Sequence, residues 1–210
     1  MDTQAFEEIG TERELRELLG EPSAVAVGKE RQTLHDHHRQ WLALSPLCLI
    51  STSAADGTCD VSPKGDPPGF AKVLDDTTLV IPDRPGNRRA DGYHNVLGNP
   101  HVGLLFLIPG RGDSLRVNGR ARLLREAPFF DDLTVKGHRP TLALLVEVEQ
   151  VYFHCSRAFV RSALWKPETW NPGAAPSRAR ISKSLERTQE SLEDLERYYG
   201  PSYDEKNMYI

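Results

Sequence analysis

Cysteine is scarce in this chain: 3 residues, Cys48, Cys59 and Cys155, in a length of 210. That is too few for a disulfide scaffold, and none stands in CxxC spacing. They read as reduced thiols of a cytoplasmic protein, and no zinc site is expected on them. Long apolar runs are missing too, so nothing approaches the roughly 20 residues that span a bilayer. The opening MDTQAFEEIGTERELRELLG is acidic and polar, unlike a secretory leader. A basic excess is absent: the formal charge is -4, which argues against a broad nucleic-acid surface while leaving room for a local basic pocket. There is no internal repeat. Gly110-Arg111-Gly112 lacks the third glycine and the strand-to-helix setting of a dinucleotide fingerprint.

What is present reads as one domain with appendages. We divide it into a helical segment (1–44), a central β domain (45–165) and a Pro-rich loop with a charged helix (166–210). Thr11 opens a short helix, with Glu14 completing a capping box and Gly20 ending it. Val27, Leu34, Trp41 and Leu44 lie on one helical face, predicting a second helix over about 25–44. Strands follow at 47–52 and 58–62, joined by the hairpin signal Asp56-Gly57. A Pro/Gly-rich irregular stretch over 63–69 leads to a hairpin of 70–74 and 78–81. A helix is expected over 87–97, stopped by Asn99-Pro100, with Arg88 and Arg89 in its first turn. Strands at 101–108 and 115–124 come next, the latter carrying Gly119 at a bulge or bend. A short helix over 128–135 and a long alternating strand over 142–155 complete the domain, and a charged helix is expected over 178–199. The fold class is therefore mainly β with flanking helices: an antiparallel barrel of six or seven strands with helices packed outside.

Several constellations can carry chemistry. In Asp60-Val61-Ser62-Pro63-Lys64-Gly65-Asp66, a hydroxyl, an ammonium and loop amides can meet a polar ring edge; the plain alternative is a surface turn with a solvated lysine. In Arg84-Pro85-Gly86-Asn87-Arg88-Arg89, Asn87 can cap a helix while the arginines reach a phosphate; the alternative is a basic turn paired with Asp83 or Asp91. Ser114, Arg116, Asn118 and Arg120 share one strand face, either solvent or a site wall. Arg157, Arg161 and Trp165 fall one helical turn apart, as a cation–π ladder or a ligand wall. His35-Asp36-His37-His38 invites a metal, but only His35 and His38 share a helix face and no third ligand is evident, so none is expected.

Taken in order, the SPKGD loop, GNRRA, NPHVGLLF and RVNGRA resemble the FMN-binding split barrel of the pyridoxamine 5′-phosphate oxidase superfamily. The match spans about 42–170, closest to a subgroup with SPKGD, RVNG and RSxLW patterns. The resemblance implies that Gly86-Asn87-Arg88-Arg89-Ala90 holds the FMN phosphate and that Pro82-Asp83 lies along the flavin. It implies that Val61, Ser62 and Lys64 border the ring, that a residue near Ser114 replaces a glutamine reaching in from the next subunit, and that Arg161 and Trp165 match the late cofactor residues. It further implies a homodimer with FMN at the interface, acting as an oxidoreductase by hydride transfer to or from a small molecule, with NAD(P)H a candidate donor. The catalytic residue is unknown. Cys59 stands where the oxidases have an arginine, and their terminal Arg-Leu-His-Asp-Arg run is absent, which argues against pyridoxamine phosphate oxidation itself. Alternatives are a non-catalytic flavin-binding or sensing module, or the same barrel holding F420 against Arg111, Arg116, Arg120 and Arg122, or haem on His94 or His101.

Overall fold

Three of the six strand connections are short hairpins, and local turn chemistry sets the first. In the computed structural model, which describes residues 6–203 and Tyr209, β1 (Leu47–Ser53) turns into β2 (Cys59–Gly65) through Asp56, whose Oδ1 accepts from the Thr58 amide at 3.0 Å and hydroxyl at 2.7 Å. Then follow β3 (Lys72–Val73), β4 (Thr78–Pro82), β5 (His101–Leu107), β6 (Ser114–Leu124) and β7 (Ala143–His154). They form one antiparallel sheet in the order β2-β1-β5-β6-β7-β4-β3. Strand β2 runs on through Pro63, which the sequence placed in irregular chain. It is an edge strand, where the missing proline N–H costs no ladder bond.

The sheet curls. Cys48 and Ile50 of β1 share a core with Leu79 and Ile81 of β4, although β5, β6 and β7 lie between them in the sheet order. Accumulated twist turns the inner faces toward one another, giving a split barrel. The bulge expected at Gly119 is present as a register shift between Asn118 and Gly119. Only glycine suits this point, because a Cβ there would lie 2.1 Å from the Glu147 carbonyl oxygen. The outer faces of β4 and β7 are covered as well, by Phe130 and Leu133 of a segment holding a single 3-10 turn, Asp131–Leu133, in place of the helix expected there.

The chain divides into two compact units, Met1–Glu30 and Arg31–Ile210. The first carries α1 (Glu12–Leu19), with the expected Thr11–Glu14 capping box, and α2 (Ala24–Gly28). In the second, α3 (Asp36–Leu44) buries Trp41 and Leu42 and is tied to β5 by Trp41 Nε1 donating to the Phe106 carbonyl at 3.3 Å. The helix expected over 25–44 is thus broken. Arg31 exchanges backbone hydrogen bonds with Val151, and the Leu34 amide donates to the Asp76 carbonyl, so these donors are withdrawn from any helical ladder.

The charged helix expected over 178–199 is likewise two: α6 (Arg178–Leu185) and α7 (Leu192–Tyr198). Ser191 starts α7 by accepting from the Asp194 amide at 3.1 Å. Leu195 is fully buried while Leu185 is exposed, so the two helices do not present one continuous apolar face. Of the terminal run PSYDEKNMYI, only Pro201–Tyr203 and Tyr209 are among the described residues. No helix among them is long and apolar enough to cross a membrane.

Candidate functional site

Alternation on β2 sends Asp60, Ser62 and Lys64 to the inner side and Cys59, Val61 and Pro63 outward. Beside them packs α4 (Asp91–Gly98), fastened by Asn95 Nδ2, which donates to Asp60 Oδ2 at 2.8 Å and to Thr52 Oγ1 at 3.1 Å. Gly92 permits this approach, since a Cβ there would come within 3.3 Å of Thr52 Oγ1. The result is a cavity of about 810 Å³, within the usual size of a small-molecule site. Its walls are β1 (Ile50, Thr52), β2 (Ser62, Lys64), the loop from Asp83 to Ala90, the first turns of α4, and the 137–142 loop with Leu144.

The loop from Asp83 to Ala90 departs from the expected helix. Arg88 has φ 60° and Ala90 φ 57°, both left-handed, so α4 cannot extend back to Asn87. Asn87 does not cap it either; its Oδ1 accepts from the Arg89 amide at 3.1 Å. Among the described residues no side chain caps α4, which leaves the Asp91 and Gly92 amides open beside the cavity.

Most of the cavity's cations are occupied. Lys64 pairs with Asp83 at 2.8 Å, Arg84 with the buried Asp66, Arg89 with Asp91 at 2.8 Å, and Arg139 with both Glu126 and Asp131 at 2.6 Å. Among the described residues, Arg88 is the cavity's one lysine or arginine whose side chain makes no ion pair or hydrogen bond. The Arg89–Asp91 pair is exposed and hence weak, so an incoming anion can draw Arg89 away from it. Burial, then the bond to Asp83, raises the Tyr93 hydroxyl well above the usual phenol range, so it stays a hydrogen-bond donor.

The cavity therefore gathers Ser62, Lys64, Asp83, Asn87, Arg88 and Arg89. Other predicted positions lie elsewhere. Val61 points to the opposite face, where a shallow trough of about 590 Å³ runs over β1, β2, β5 and β6. Pro82 is buried opposite Ala143 in the β4–β7 ladder. Ser114 is buried opposite His154. Since β7 runs from the cavity at Leu144 to His154, the segment holding Arg161 and Trp165 begins roughly 30 Å from the cavity end of that strand. There α5 (Arg157–Arg161) is a single short turn, and Trp165 stacks on Phe159 at 6.1 Å instead of continuing an arginine ladder. The four arginines considered for F420 also lie outside the cavity, engaged with Asp113, Tyr152, His101 and Glu147 respectively.

His35 caps α3, and His38 Nδ1 accepts from the His35 amide at 3.1 Å. No group of three potential metal ligands occurs among the described residues. Sequence reading missed Tyr93, Thr52 and the 137–142 loop. A signal existed for Tyr93: it stands three residues before the buried Val96, on the inward face of α4.

A profile of the pyridoxamine 5′-phosphate oxidase family matches residues 34–155. A search of curated proteins finds no match. Among solved structures, HupZ of Group A Streptococcus is 16% identical, with 56% of this chain and 91% of that one covered at a TM-score of 0.46. A putative pyridoxamine 5′-phosphate oxidase from Lactobacillus delbrueckii is 21% identical over 58% of this chain and 95% of that one, TM-score 0.46. An FMN-binding protein from Syntrophomonas wolfei is 12% identical over 55% and 86%, TM-score 0.42.

Proposed function

Because the chain belongs to the pyridoxamine 5′-phosphate oxidase family, we propose that it is an FMN-dependent oxidoreductase whose cofactor occupies the 810 Å³ cavity. The observation that carries this reading is the pairing of an unengaged Arg88 with the uncapped start of α4. A guanidinium fork and open helix amides directed at one place hold a phosphate well. When bound, the flavin supplies hydride transfer at its N5. The chain's own part is to grip the phosphate with Arg88 and a recruited Arg89, to line the ring with Ser62, Lys64 and Asp83, and to exclude water with Ile50, Val96 and Leu144. The electron donor we propose is a reduced nicotinamide, and the setting a reducing cytoplasm in which Cys48, Cys59 and Cys155 stay unbridged.

We place the working form as a homodimer with the cofactor at the interface. The support is positional: Arg161 and Trp165 follow the far end of β7 and cannot serve their own cavity, and a second copy can bring that segment to it; Ser114 is buried, so its place near the interface rests on the resemblance alone. Among the described residues Trp165 Nε1 is buried without a hydrogen-bond partner, which leaves a polar group of this segment to be satisfied.

The test is the visible spectrum of the purified protein, followed by titration with FMN and steady-state NAD(P)H oxidation with several acceptors. A colourless protein that does not bind added FMN removes the proposal. Bound FMN without turnover under any donor reduces it to a flavin-binding module.

A further inference from the structure

Asp83 is held from two sides. Its Oδ1 accepts from Lys64 Nζ at 2.8 Å and from the Tyr93 hydroxyl at 2.5 Å. Among the described residues no donor reaches Oδ2. The Lys64 ammonium also sits 4.7 Å from the centre of the Tyr93 ring, so the aromatic face restrains the cation while the hydroxyl restrains the carboxylate. All three line the cavity. The Lys64 and Asp83 side chains keep 22% and 25% of their surface, enough for a ligand to touch.

An ammonium has three N–H donors, and Asp83 uses one of those on Lys64. The wall therefore offers a spare donor beside a spare acceptor. The complementary ligand edge is an imide, a carbonyl next to an N–H. An oxidised isoalloxazine has one ring N–H, at N3 between two carbonyls; a deazaflavin has the same edge and haem does not.

Resting on the flavin reading above, we infer that Lys64 and Asp83 read the imide edge of the ligand, with Tyr93 as the positioning residue that keeps Asp83 Oδ2 free to accept the N–H. The arrangement has a second consequence. The Lys64 charge is largely neutralised by Asp83, so this end of the cavity selects by hydrogen-bond pattern while Arg88 selects by charge.

The experiment is a binding titration of flavin-free protein with FMN and with its N3-methyl derivative, which keeps the phosphate and loses the donor. The wild-type protein is expected to prefer FMN by about 100-fold, because the methylated ligand covers the Asp83 acceptor without pairing it. In Asp83→Ala that ratio collapses toward one. In Tyr93→Phe, which preserves the ring, it falls to within a few-fold. Arg88→Ala weakens both ligands together and leaves the ratio unchanged, as would any substitution acting only through general loosening of the site. Wild-type protein that binds both ligands equally overturns the inference and leaves the flavin reading standing, as does a preference for FMN that survives in Asp83→Ala or, should that variant not fold, in Tyr93→Phe. Protein that binds neither ligand overturns both.

Discussion

Lys64 Nζ lies 2.8 Å from Asp83 Oδ1, joining the first strand in the sheet order to the end of the sixth. In a flat sheet five strand spacings would hold them roughly 24 Å apart. The pair therefore measures how far the sheet has curled, and it sits where the curl leaves a cavity. Closure and site are one event here: the twist that lets β1 and β4 share a core also brings the two polar edges face to face.

Arg88→Ala is expected to weaken FMN binding by about 1.5–3 kcal/mol, the worth of a charged phosphate contact. Riboflavin, which has no phosphate, should bind the variant and the wild type alike. Arg89→Ala should cost less, since Arg89 must first leave Asp91. Fluorescence titration of both ligands checks this, and an unchanged FMN affinity in Arg88→Ala would put the phosphate elsewhere.

Gly119→Ala is expected to destabilise the fold by about 3 kcal/mol or more. The added methyl would lie 2.1 Å from the Glu147 oxygen and 3.0 Å from its carbonyl carbon, backbone atoms that cannot swing aside as the end of a flexible side chain could. Urea unfolding gives the number. A loss below about 1 kcal/mol would mean that the β6–β7 bulge relaxes more easily than packed cores do.

Asp66→Ala should cost about 3 kcal/mol, the lower end for breaking a buried pair. The Asp66 side chain is 1% exposed, and its partner Arg84 also donates to the Leu133 carbonyl at 2.8 Å and the His138 carbonyl at 3.3 Å. Those two bonds keep Arg84 partly satisfied. They also pin the segment that forms one cavity wall, so amide exchange over 133–142 should speed up in the variant.

Acid should weaken the fold through His38. Burial, then the nearby His35, Arg31 and His37, holds its pKa below the ordinary value. The unfolded chain takes up the proton more readily, so this contribution is present above about pH 6.5 and is lost as pH falls through the lower folded value. Melting curves between about pH 7 and pH 5 should therefore fall more steeply for wild type than for His38→Asn, whose amide can still accept from the His35 amide.

Much of the scaffold was legible before folding was considered. The Thr11–Glu14 box, the Asp56-Gly57 hairpin, the β5 and β7 strands and the Gly119 bulge are local events. Each depends on residues within a few positions or on alternation along one strand. Helices were read less well. The stretch over 25–44 broke because Arg31 and Leu34 give their amides to distant chain, a competition invisible within a helical window. The one over 178–199 broke at Ser191, where a local cap signal was available and a continuous charge pattern obscured it.

At the site, residue types and spacing already marked Ser62, Lys64 and Arg88 as polar groups at a strand end and a turn, and the resemblance added Asp83. Which of them meet was decided by the curl of the sheet. Alternation on β2 turned Val61 away from its neighbours, two left-handed residues moved Arg88 and Arg89 off the helix, and α4 brought in Tyr93. Strand periodicity and turn chemistry act over a few residues and survive in the bare sequence. The encounter of Lys64 with Asp83 and Tyr93, and the difference between an engaged Arg89 and an unengaged Arg88, depend on accumulated twist across seven strands, which no short window contains.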